Sequence, residues 1–354
     1  DDEGEDSEHW QSFGLPLMNL REITLDEASA DIPDVPADHI AALAFTSGST
    51  GAPKPNAKSW QSLNIATDMA AQRFLGGLQQ PTLVATVPPQ HMYGLESTVL
   101  LAMLGGARVY SGRPFFPQDV VDVLAAMPTP RVLVTTPAHI RAIVRAGVQP
   151  PDVAFLISAT APLSADLAAE AEDLFAAPVL EVYGCTEAGA MASRRNLAGP
   201  QWQPYEGVRL YKTGDQAMVE GLQLAEPVPL QDLLQISEDG CFELCGRDSD
   251  LINIAGKRAS LADLNHRLLT IDGVEDGVIF DPDPGSEGRL AALVVSDDLS
   301  EKDILDQLRQ QTDPVFLPRP LCKVEALPRS ETSKLPRDRL LSMLKERSAA
   351  SLNA

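Results

Sequence analysis

The segment from Thr46 to Lys54 has the composition of a phosphate-binding loop. It reads Thr46-Ser47-Gly48-Ser49-Thr50-Gly51-Ala52-Pro53-Lys54 and follows an apolar run, His39–Phe45, that predicts a strand. Glycines let the backbone approach a phosphate closely and turn its N–H groups inwards, and the hydroxyl side chains add donors. Lys54 would add positive charge. A Walker A loop places Ser or Thr directly after its lysine, and Pro55 stands there instead, so a Walker-type kinase is excluded.

A second chemical motif is Tyr183-Gly184-Cys185-Thr186-Glu187, which follows the predicted strand Val179–Tyr183. A glycine at the carboxyl end of a strand allows the backbone to pass close to a nucleotide bound at that edge of a parallel sheet. The ring of Tyr183 can cover an adenine, Thr186 can donate to a phosphate, and Glu187 can hold Mg²⁺ through oxygen. Taken alone, Glu187 would be an ordinary surface carboxylate.

Four other segments contribute candidates that are unremarkable one at a time. Pro89–Gly94 contains His91, which by itself fits a half-buried histidine. Ser158–Leu163 follows an apolar run and fits a turn at the end of a strand. Gly246–Asp250 fits a polar linker, and Lys334, near the end of the chain, fits a solvated side chain.

Taken together and in this order, these segments resemble the motifs of the acyl-adenylate-forming superfamily. That superfamily includes acyl-CoA synthetases, acyl-carrier-protein ligases, peptide-synthetase adenylation domains and luciferases. Its phosphate-loop pattern, TSGSTGxPK, is matched throughout by Thr46–Lys54, and its YGxTE motif by Tyr183–Glu187. Leu327–Lys334 is similar to the family's P-x-TxxGK element, with Ser333 in place of the glycine. The resemblance extends over about residues 38–340.

The resemblance implies ATP and AMP as ligands, Mg²⁺ as the metal, and a role for each matching residue. Lys334 would meet the acid carboxylate and the α-phosphate, Lys54, Thr186 and His91 would complete the catalytic group, and Glu187 would hold the metal. The implied nucleotide-binding residues are Thr46, Ser47, Gly48, Ser49, Thr50, Gly51, Ser158, Ala159, Thr160, Ala161, Pro162, Tyr183, Gly184, Asp232 and Arg247. In the family's SGGAPL stretch, which lies along the adenine, Ala159 and Thr160 replace two glycines.

Two aspartates compete for the role of ribose ligand. Lys212–Asp215 resembles the family's TGD motif, yet the family places that aspartate just before a short hairpin leading to GRxD. Asp232 lies seven residues before Asp239 of the predicted hairpin turn, whereas Asp215 lies 24 residues before it. Asp232 is therefore predicted to bind the ribose, and Asp215 to lie in a turn that mimics the motif. Arg247 is expected to reach the ribose or a phosphate.

These motifs require a scaffold, and the hydrophobic pattern predicts an α/β fold. Strand and helix patterns alternate as far as residue 198, which indicates a mostly parallel sheet; short strands follow, and then a compact α+β module. We predict an acidic leader at 1–37, an adenylating core at 38–247, with sheet layers and a small β subdomain and a shortened N-terminal part, and a small, mobile C-terminal lid domain at 248–354. The predicted helices are Ser59–Phe74, Leu95–Leu104, Asp119–Met127, Pro137–Arg145, Ala165–Leu174, Leu261–Leu268 and Glu301–Gln311.

Composition restricts the partners. The 354 residues carry a formal net charge of −22, which argues against a nucleic-acid partner because phosphate contacts need basic surface. Four cysteines are too few for a disulfide framework and favour a reduced, cytoplasmic setting. The longest apolar stretch, around Ser97–Leu104, is too short to span a bilayer, so no transmembrane segment is expected.

The reaction implied by the resemblance is the activation of a carboxylic acid by ATP to an acyl-adenylate and its transfer to the pantetheine thiol of an acyl carrier protein or CoA. The short front end, the Gly256-Lys257-Arg258 segment and Trp202–Pro204 look most like the carrier-protein ligases of aryl-polyene and xanthomonadin pathways, which activate hydroxybenzoic acids. Ala188 and Gly189 would suit a flat ring and also an alkyl chain.

Two alternatives stay open: a fatty acyl-CoA or acyl-carrier-protein synthetase, and a non-catalytic nucleotide-binding regulator with the same fold. Basic residues that would match an acidic carrier protein are Lys257, Arg258, Arg319 and Lys323. The short front end implies an acid pocket that is either open on one side or completed by another subunit, and a homodimer is a further expectation.

Overall fold

The structure is a computed structural model that describes residues 34–46, 54–247, 251–254, 256–283, 289–329 and 335–352. The chain divides into two compact units, Asp1–Pro36 and Ala37–Ala354, and every element below belongs to the second. Ser47, Gly48, Ser49, Thr50, Gly51 and Lys334, predicted to bind phosphate or act in catalysis, lie outside the described residues. The predicted domain boundaries at 37 and 247 stay predictions.

The elements alternate between strand and helix over the first half of the second unit. The strands are β1 (Ile40–Thr46), β2 (Lys54–Ser59), β3 (Thr82–Ala85), β4 (Arg108–Val109), β5 (Arg131–Thr135), β6 (Phe155–Ser158), β7 (Val179–Cys185), β8 (Gly189–Arg195), β9 (Gln203–Pro204), β10 (Val208–Thr213), β11 (Gln216–Gly221), β12 (Val228–Pro229), β13 (Asp232–Ile236), β14 (Phe242–Arg247), β15 (Leu251–Ile254), β16 (Lys257–Ser260), β17 (Asp276–Phe280), β18 (Ala291–Val295) and β19 (Leu321–Lys323).

The helices are α1 (Trp60–Leu75), α2 (Met92–Gly94, the π-helical Leu95–Leu100 and Leu101–Met103), α3 (Pro117–Ala126), α4 (Pro137–Ala146), α5 (Ala165–Phe175), α6 (Leu261–Leu269), α7 (Glu301–Gln311) and α8 (Arg337–Leu352). Hydroxyl caps set several of their starts. Ser59 accepts from the N–H of Ser62 at the start of α1, and Ser164 accepts from that of Leu167 at the start of α5.

A seven-stranded sheet in the order β4-β3-β5-β6-β7-β8-β9 forms the centre of the fold. The pairs from β4 to β7 are parallel, and β8 and β9 are added antiparallel to them. The central strands are buried on both faces, as expected for a parallel sheet between helices. The carboxyl ends of β3, β5, β6 and β7 therefore meet at one edge, where ligands of open α/β sheets bind.

Helices cover both faces of this sheet. On one face, Met69 and Phe74 of α1 pack in a cluster with Leu83, Val132 and Ile157 of the sheet. On the other face, residues of α3, α4 and α5 pack against inward-facing residues of β3, β5, β6 and β7. The residues of this second face are Val120, Leu124, Ile140, Ile143, Leu167, Ala168 and Ala171 from the helices and Val84, Leu133, Leu156 and Val179 from the strands.

Smaller sheets follow the central one. β10, β11 and β12 form an antiparallel sheet, and β13–β14 and β15–β16 form two hairpins. The last module pairs β17 antiparallel and β19 parallel to β18, with α6 and α7 packed in one apolar cluster and α8 in another. No described helix is long and apolar enough to cross a membrane.

The predicted α/β fold is confirmed, and most predicted elements exist within a few residues of their expected bounds. Short strands with turns are predicted over Val208–Leu224, and the structure has β10 and β11 there, because Gly214 adopts a φ of +63° and turns the chain between them. The elements β2, β8 and α8 have no counterpart among the predicted ones.

Candidate active site

Polar groups gather at the carboxyl edge of the central sheet. Thr86, just after β3, and Thr135, at the end of β5, share a buried hydrogen bond of 2.9 Å between their hydroxyls. The hydroxyl of Tyr93 donates to the carbonyl oxygens of Thr135, at 3.1 Å, and Ile157, at 3.0 Å. Tyr93 therefore joins α2 to the ends of two strands, and burial raises the pKa of its phenol.

These contacts place His91 beside the same edge, two residues before Tyr93. His91 is half-buried at the start of α2, and its backbone N–H donates to the carbonyl of Pro88. A Cβ at Gly94 would collide with that same carbonyl of Pro88, so only glycine fits there. The turn from Pro88 to Gly94 is therefore a tight structure that fixes the backbone at His91.

The segment from Ser158 to Pro162 follows β6 at this edge. Ser158 and Ala159 are buried, and the hydroxyl of Ser158 has no hydrogen-bond partner among the described residues. Thr160 is exposed and has a φ of +79°, in the region that glycine favours. The backbone thus keeps a glycine-like conformation at a position where the sequence has a β-branched residue.

Tyr183 and Asp232 meet in space. The hydroxyl of Tyr183 donates to Oδ2 of Asp232 at 2.7 Å, and Asp232, the first residue of β13, is the register partner of Arg247 in β14. Three predicted site residues are therefore neighbours in space, although they are distant in sequence. Asp215 instead follows Gly214 in the exposed turn between β10 and β11.

The ring of Tyr183 belongs to an aromatic cluster. Its centroid lies 5.7 Å from that of Trp202 and 5.5 Å from that of Phe242, and these two rings stack on one another. The guanidinium of Arg194 lies 4.6 Å from the centroid of Trp202 and also pairs with Glu181. This packing fixes the tyrosine ring and so directs its hydroxyl at Asp232.

Thr186 and Glu187 lie in the turn that joins β7 to β8. Thr186 is half-buried, and Glu187 is exposed. A Cβ at Gly184 would lie 2.5 Å from the carbonyl oxygen of Gly189, so the close approach of β7 to β8 already requires this glycine. The turn that carries Thr186 and Glu187 therefore connects two strands that are tightly packed where they meet it.

The predicted phosphate loop lies in sequence between the two strands of the β1–β2 pair. Thr46 and Lys54, which flank it, are register partners at the last described position of each strand. Lys58, later in β2, is buried and donates from Nζ to the backbone carbonyl of Glu187 at 2.6 Å. This bond ties the hairpin that carries the phosphate loop to the turn that carries Thr186 and Glu187.

Glu96 approaches the same region from α2. It is only 7 % exposed, and its Oε2 accepts from the N–H of Ala190 at 3.1 Å. Burial raises the pKa of this carboxyl to about 7, against the opposing effects of the Ala190 hydrogen bond and the Lys58 charge. Burial lowers the pKa of Lys58, which the nearby acids Glu96, Cys185 and Glu187 counteract.

Arg329, the last described residue before the segment that contains Lys334, forms an ion pair with Asp276. The guanidinium of Arg329 forms two hydrogen bonds, of 2.7 and 2.6 Å, with the two carboxylate oxygens of Asp276 in β17. Arg145 of α4 donates to the carbonyls of Val274 and Glu275, just before β17. The central domain therefore contacts the C-terminal module next to this anchor.

The arrangement fits Mg²⁺ and a nucleotide chemically. Glu187 offers one outward carboxylate, and no cluster of three or more His, Cys, Asp or Glu side chains that would form a protein-only metal site exists in the described ranges. Mg²⁺ is usually held by one or two carboxylates together with phosphate oxygens and water, so a single carboxylate matches its needs. Asp232, as a carboxylate, can accept several hydrogen bonds.

Lys58 and Glu96 are functional candidates that were not predicted from the sequence. Both are charged side chains that are buried in the folded protein, and no motif contains them. The one signal that was available is their placement: Lys58 follows the phosphate loop by four residues, and Glu96 follows the Pro89–Gly94 segment by two.

Residues 2–220 match the family model described as AMP-binding enzyme. A 4-coumarate–CoA ligase of Halorhodospira halophila is 30% identical over 276 residues, which cover 75% of this chain and 66% of the relative. A 2-succinylbenzoate–CoA ligase of Staphylococcus epidermidis is 22% identical over 364 residues, which cover 93% of this chain and 75% of the relative.

The fold is shared with solved structures. ATP-bound MatB from Rhodopseudomonas palustris superposes with a TM-score of 0.72 and 22% identity, covering 88% of this chain and 70% of that one. O-succinylbenzoate coenzyme A synthetase from Bacillus subtilis in complex with AMP gives a TM-score of 0.72 at 19% identity, covering 86% and 69%. The chain spans 66%, 64% and 58% of the length of three 4-coumarate–CoA ligases or ligase-like relatives.

Proposed function

The chain belongs to the AMP-binding enzyme family, and on that premise we propose that it activates a carboxylic acid with ATP and transfers the acyl group to a pantetheine thiol. A carboxylate oxygen attacks the α-phosphorus, forms the acyl-adenylate and releases pyrophosphate. The thiol then attacks the acyl carbon and releases AMP. Atoms balance in both steps without a side-chain nucleophile.

The observation that carries this proposal is the meeting of Tyr183 and Asp232 at the carboxyl edge of the sheet. Asp232 is suited to accept hydrogen bonds from a ribose, and the Thr186–Glu187 turn directly follows the strand that carries Tyr183, three and four residues after it. Lys54 and Lys334 bring positive charge to the phosphates, where charge develops in the transition state. His91 borders the space for the acid.

Mg²⁺, when bound, would be held by Glu187 with phosphate oxygens and would neutralise phosphate charge. The protein's own residues position the other groups. The β1–β2 pair flanks the phosphate loop in sequence, and the tight turn at Gly94 fixes the backbone at His91. The Arg329–Asp276 ion pair fixes the chain shortly before Lys334.

We infer an aromatic acid as substrate, with a hydroxybenzoic acid as the first candidate. The support is that its relatives include 4-coumarate and 2-succinylbenzoate CoA ligases. Ala188 and Gly189, which would suit a flat ring or an alkyl chain, also have a packing reason to be small: Ala188 is buried in the core, and a Cβ at Gly189 would lie 2.5 Å from Oε1 of Glu96.

For the thiol acceptor we propose CoA or a carrier protein, and the names of the relatives favour CoA. Two of the basic residues matched to a carrier protein are already engaged: Lys257 pairs with Asp313, and Lys323 donates from Nζ to the carbonyl of Leu299. The likeness to aryl-polyene and xanthomonadin ligases and the homodimer stay predictions.

The test is ATP–pyrophosphate exchange across hydroxybenzoic, cinnamic, fatty and dicarboxylic acids, with Lys334→Ala alongside. We expect exchange with aromatic acids and its loss in the variant. Exchange driven only by fatty or dicarboxylic acids would reject the aromatic substrate. ATP binding without exchange for any acid would reject the enzyme and favour a nucleotide-binding regulator. Product formation with CoA or with a holo carrier protein then decides the acceptor.

A further inference from the structure

We propose that Lys58 and Glu96 are positioning residues that hold the Thr186–Glu187 turn from its two sides. The inference rests on the proposed function only for the role of that turn, which is to receive phosphate and metal. The two hydrogen bonds that fix the turn are present in the protein without ligands.

The first half of the hold is Lys58. Its side chain is 5 % exposed, and a lysine is rarely enclosed to that degree without a partner. Its Nζ donates to the carbonyl oxygen of Glu187 at 2.6 Å, across 129 residues of chain. Because the bond takes the backbone of Glu187, the carboxylate of the same residue stays exposed.

The second half is Glu96, which holds the other end of the turn. Its Oε2 accepts from the N–H of Ala190 at 3.1 Å, three residues after Glu187. Its Oε1 has no hydrogen-bond partner among the described residues and lies against Gly189, where a Cβ would approach it to 2.5 Å. Gly189 has a φ of +76°, so the backbone here is shaped to admit this carboxylate.

The two side chains also affect one another's ionisation inside the protein. The ammonium of Lys58 and the carboxylate of Glu96 interact through space, and each favours the charged form of the other. An apolar pair of the same volume would fill this space without the cost of desolvation. What only the polar pair supplies is one hydrogen bond to each flank of the turn.

The pair further links three elements that carry predicted site residues. Lys58 lies four residues after Lys54 on the hairpin of the phosphate loop, and Glu96 lies five residues after His91 on α2. Both reach the β7–β8 turn. The two side chains thus connect the β1–β2 hairpin and α2 to the turn that carries Glu187.

The experiment compares the full chain with Lys58→Met, Glu96→Gln and the double variant, with exposed Lys302→Met and Glu206→Gln as matched controls. Amide hydrogen exchange of residues 185–191 is measured without ligands, and pyrophosphate exchange is measured against Mg²⁺–ATP and acid. In Lys58→Met we expect the turn amides to exchange roughly tenfold faster. We expect kcat to fall by roughly ten- to a hundredfold while the KM for the acid changes little.

The double variant separates positioning from simple charge compensation. It carries neither buried charge, and the amide oxygen introduced by Glu96→Gln can still accept from Ala190, so it lacks only the bond to Glu187. We expect it to regain the melting temperature lost in Lys58→Met and to keep the fast exchange and the low kcat. Recovery of turn protection and kcat in the double variant would overturn the proposal.

Unchanged exchange of the turn amides in Lys58→Met would also overturn it, whatever the activity. An unmodified chain that shows no acid-dependent pyrophosphate exchange would reject the proposed function instead. Hydrogen exchange would still decide the positioning role in that case, because it requires neither ATP nor acid.

Discussion

The hydroxyl of Tyr183 donates a hydrogen bond of 2.7 Å to Oδ2 of Asp232, from which it is separated by 49 residues of chain. Tyr183 lies near the end of β7, the last of the parallel strands of the central sheet, and Asp232 begins a hairpin of the small β region. The bond therefore aligns the carboxylate proposed for the ribose with the aromatic ring proposed for the adenine. Hydrogen bonds to charged groups contribute about 1.5–3 kcal/mol, so the alignment has a measurable cost of removal.

Tyr183→Phe should weaken ATP use while leaving the fold intact. The variant keeps the ring that packs on Trp202 and Phe242, so the melting temperature should fall by only a few degrees. The carboxylate loses one fixed donor, and the KM for ATP should rise by roughly three- to tenfold. Pyrophosphate exchange against ATP measures this, and an unchanged KM would show that the bond does not orient Asp232 for the nucleotide.

Asp232 and Asp215 should differ sharply as ribose candidates. Asp232→Ala removes the carboxylate beside Tyr183 and should raise the KM for ATP by roughly tenfold or more. Asp215→Ala, in the exposed turn after β10, is the matched control and should change it less than about twofold. Titration calorimetry with ATP gives the same comparison without turnover. The reverse ranking would assign the ribose to Asp215.

Thr160→Gly should stabilise the protein. Thr160 holds a φ of +79°, and a left-handed conformation costs a non-glycine residue roughly 1–2 kcal/mol. Glycine would relieve that cost, minus about 0.5–1 kcal/mol of extra chain entropy, for a net gain near 1 kcal/mol in urea unfolding. Thr312→Gly is the control, since Thr312 has a φ of −136° and glycine there should only destabilise. A loss of stability in Thr160→Gly would show that the threonine side chain offsets its strain.

The strands and helices around the site were predictable because their hydrophobic patterns are strong. Apolar runs within Arg131–Thr135 and Val153–Ser158 predict strands, which the structure has at Arg131–Thr135 and Phe155–Ser158, and Ser59 predicts the start of α1. The glycine after Tyr183 also indicated that this residue lies at the carboxyl edge of the sheet. Each of these signals involves only residues that are near one another in sequence, so the sequence alone was sufficient to predict them.

The β1–β2 hairpin and its buried lysine were not predictable in the same way. In β2 the small residue Ala57 faces outwards and Lys58 faces inwards, which is the reverse of the usual pattern for a half-buried strand. Lys58 is buried because its Nζ donates to the backbone carbonyl of Glu187 in a distant turn and interacts with the carboxyl group of Glu96 on α2. That condition is tertiary, and no window of neighbouring residues contains it.

Glu96→Gln should make stability less sensitive to pH. Since burial raises the pKa of Glu96 to about 7, the folded chain retains this proton between about pH 4.5 and 7 while the unfolded chain loses it. The folded state therefore binds more protons in this window, and the contribution of Glu96 to stability declines as pH rises. At about 1.4 kcal/mol per pKa unit, the relative gain of the Gln variant from pH 4.5 to 8 should reach roughly 2–3 kcal/mol.

Urea unfolding of both proteins at several pH values measures this difference. Exposed Glu206→Gln is the control and should show no comparable trend. If the difference between Glu96→Gln and the unmodified chain were flat across the window, Glu96 would be ionised throughout in the folded state.

Asp276→Asn should impair adenylation more than thiol transfer. Arg329 forms a two-pronged pair with Asp276, and Lys334, the lysine proposed for catalysis, follows Arg329 by five residues, so the pair fixes the chain shortly before it. Both side chains are about a quarter exposed, and the loss of global stability should therefore stay near 1 kcal/mol. An asparagine keeps one acceptor oxygen and loses the charge and the second prong. We expect pyrophosphate exchange to fall by roughly tenfold. Thioester formation from a supplied acyl-adenylate, which does not require Lys334 at the α-phosphate, should change less than about twofold.

Asp306→Asn is the control. It removes another Arg–Asp pair, with Arg309 on the exposed face of α7, and should leave both half-reactions unchanged. Equal losses in both half-reactions of Asp276→Asn would mean that the pair supports the C-terminal module as a whole and does not specifically place the lysine.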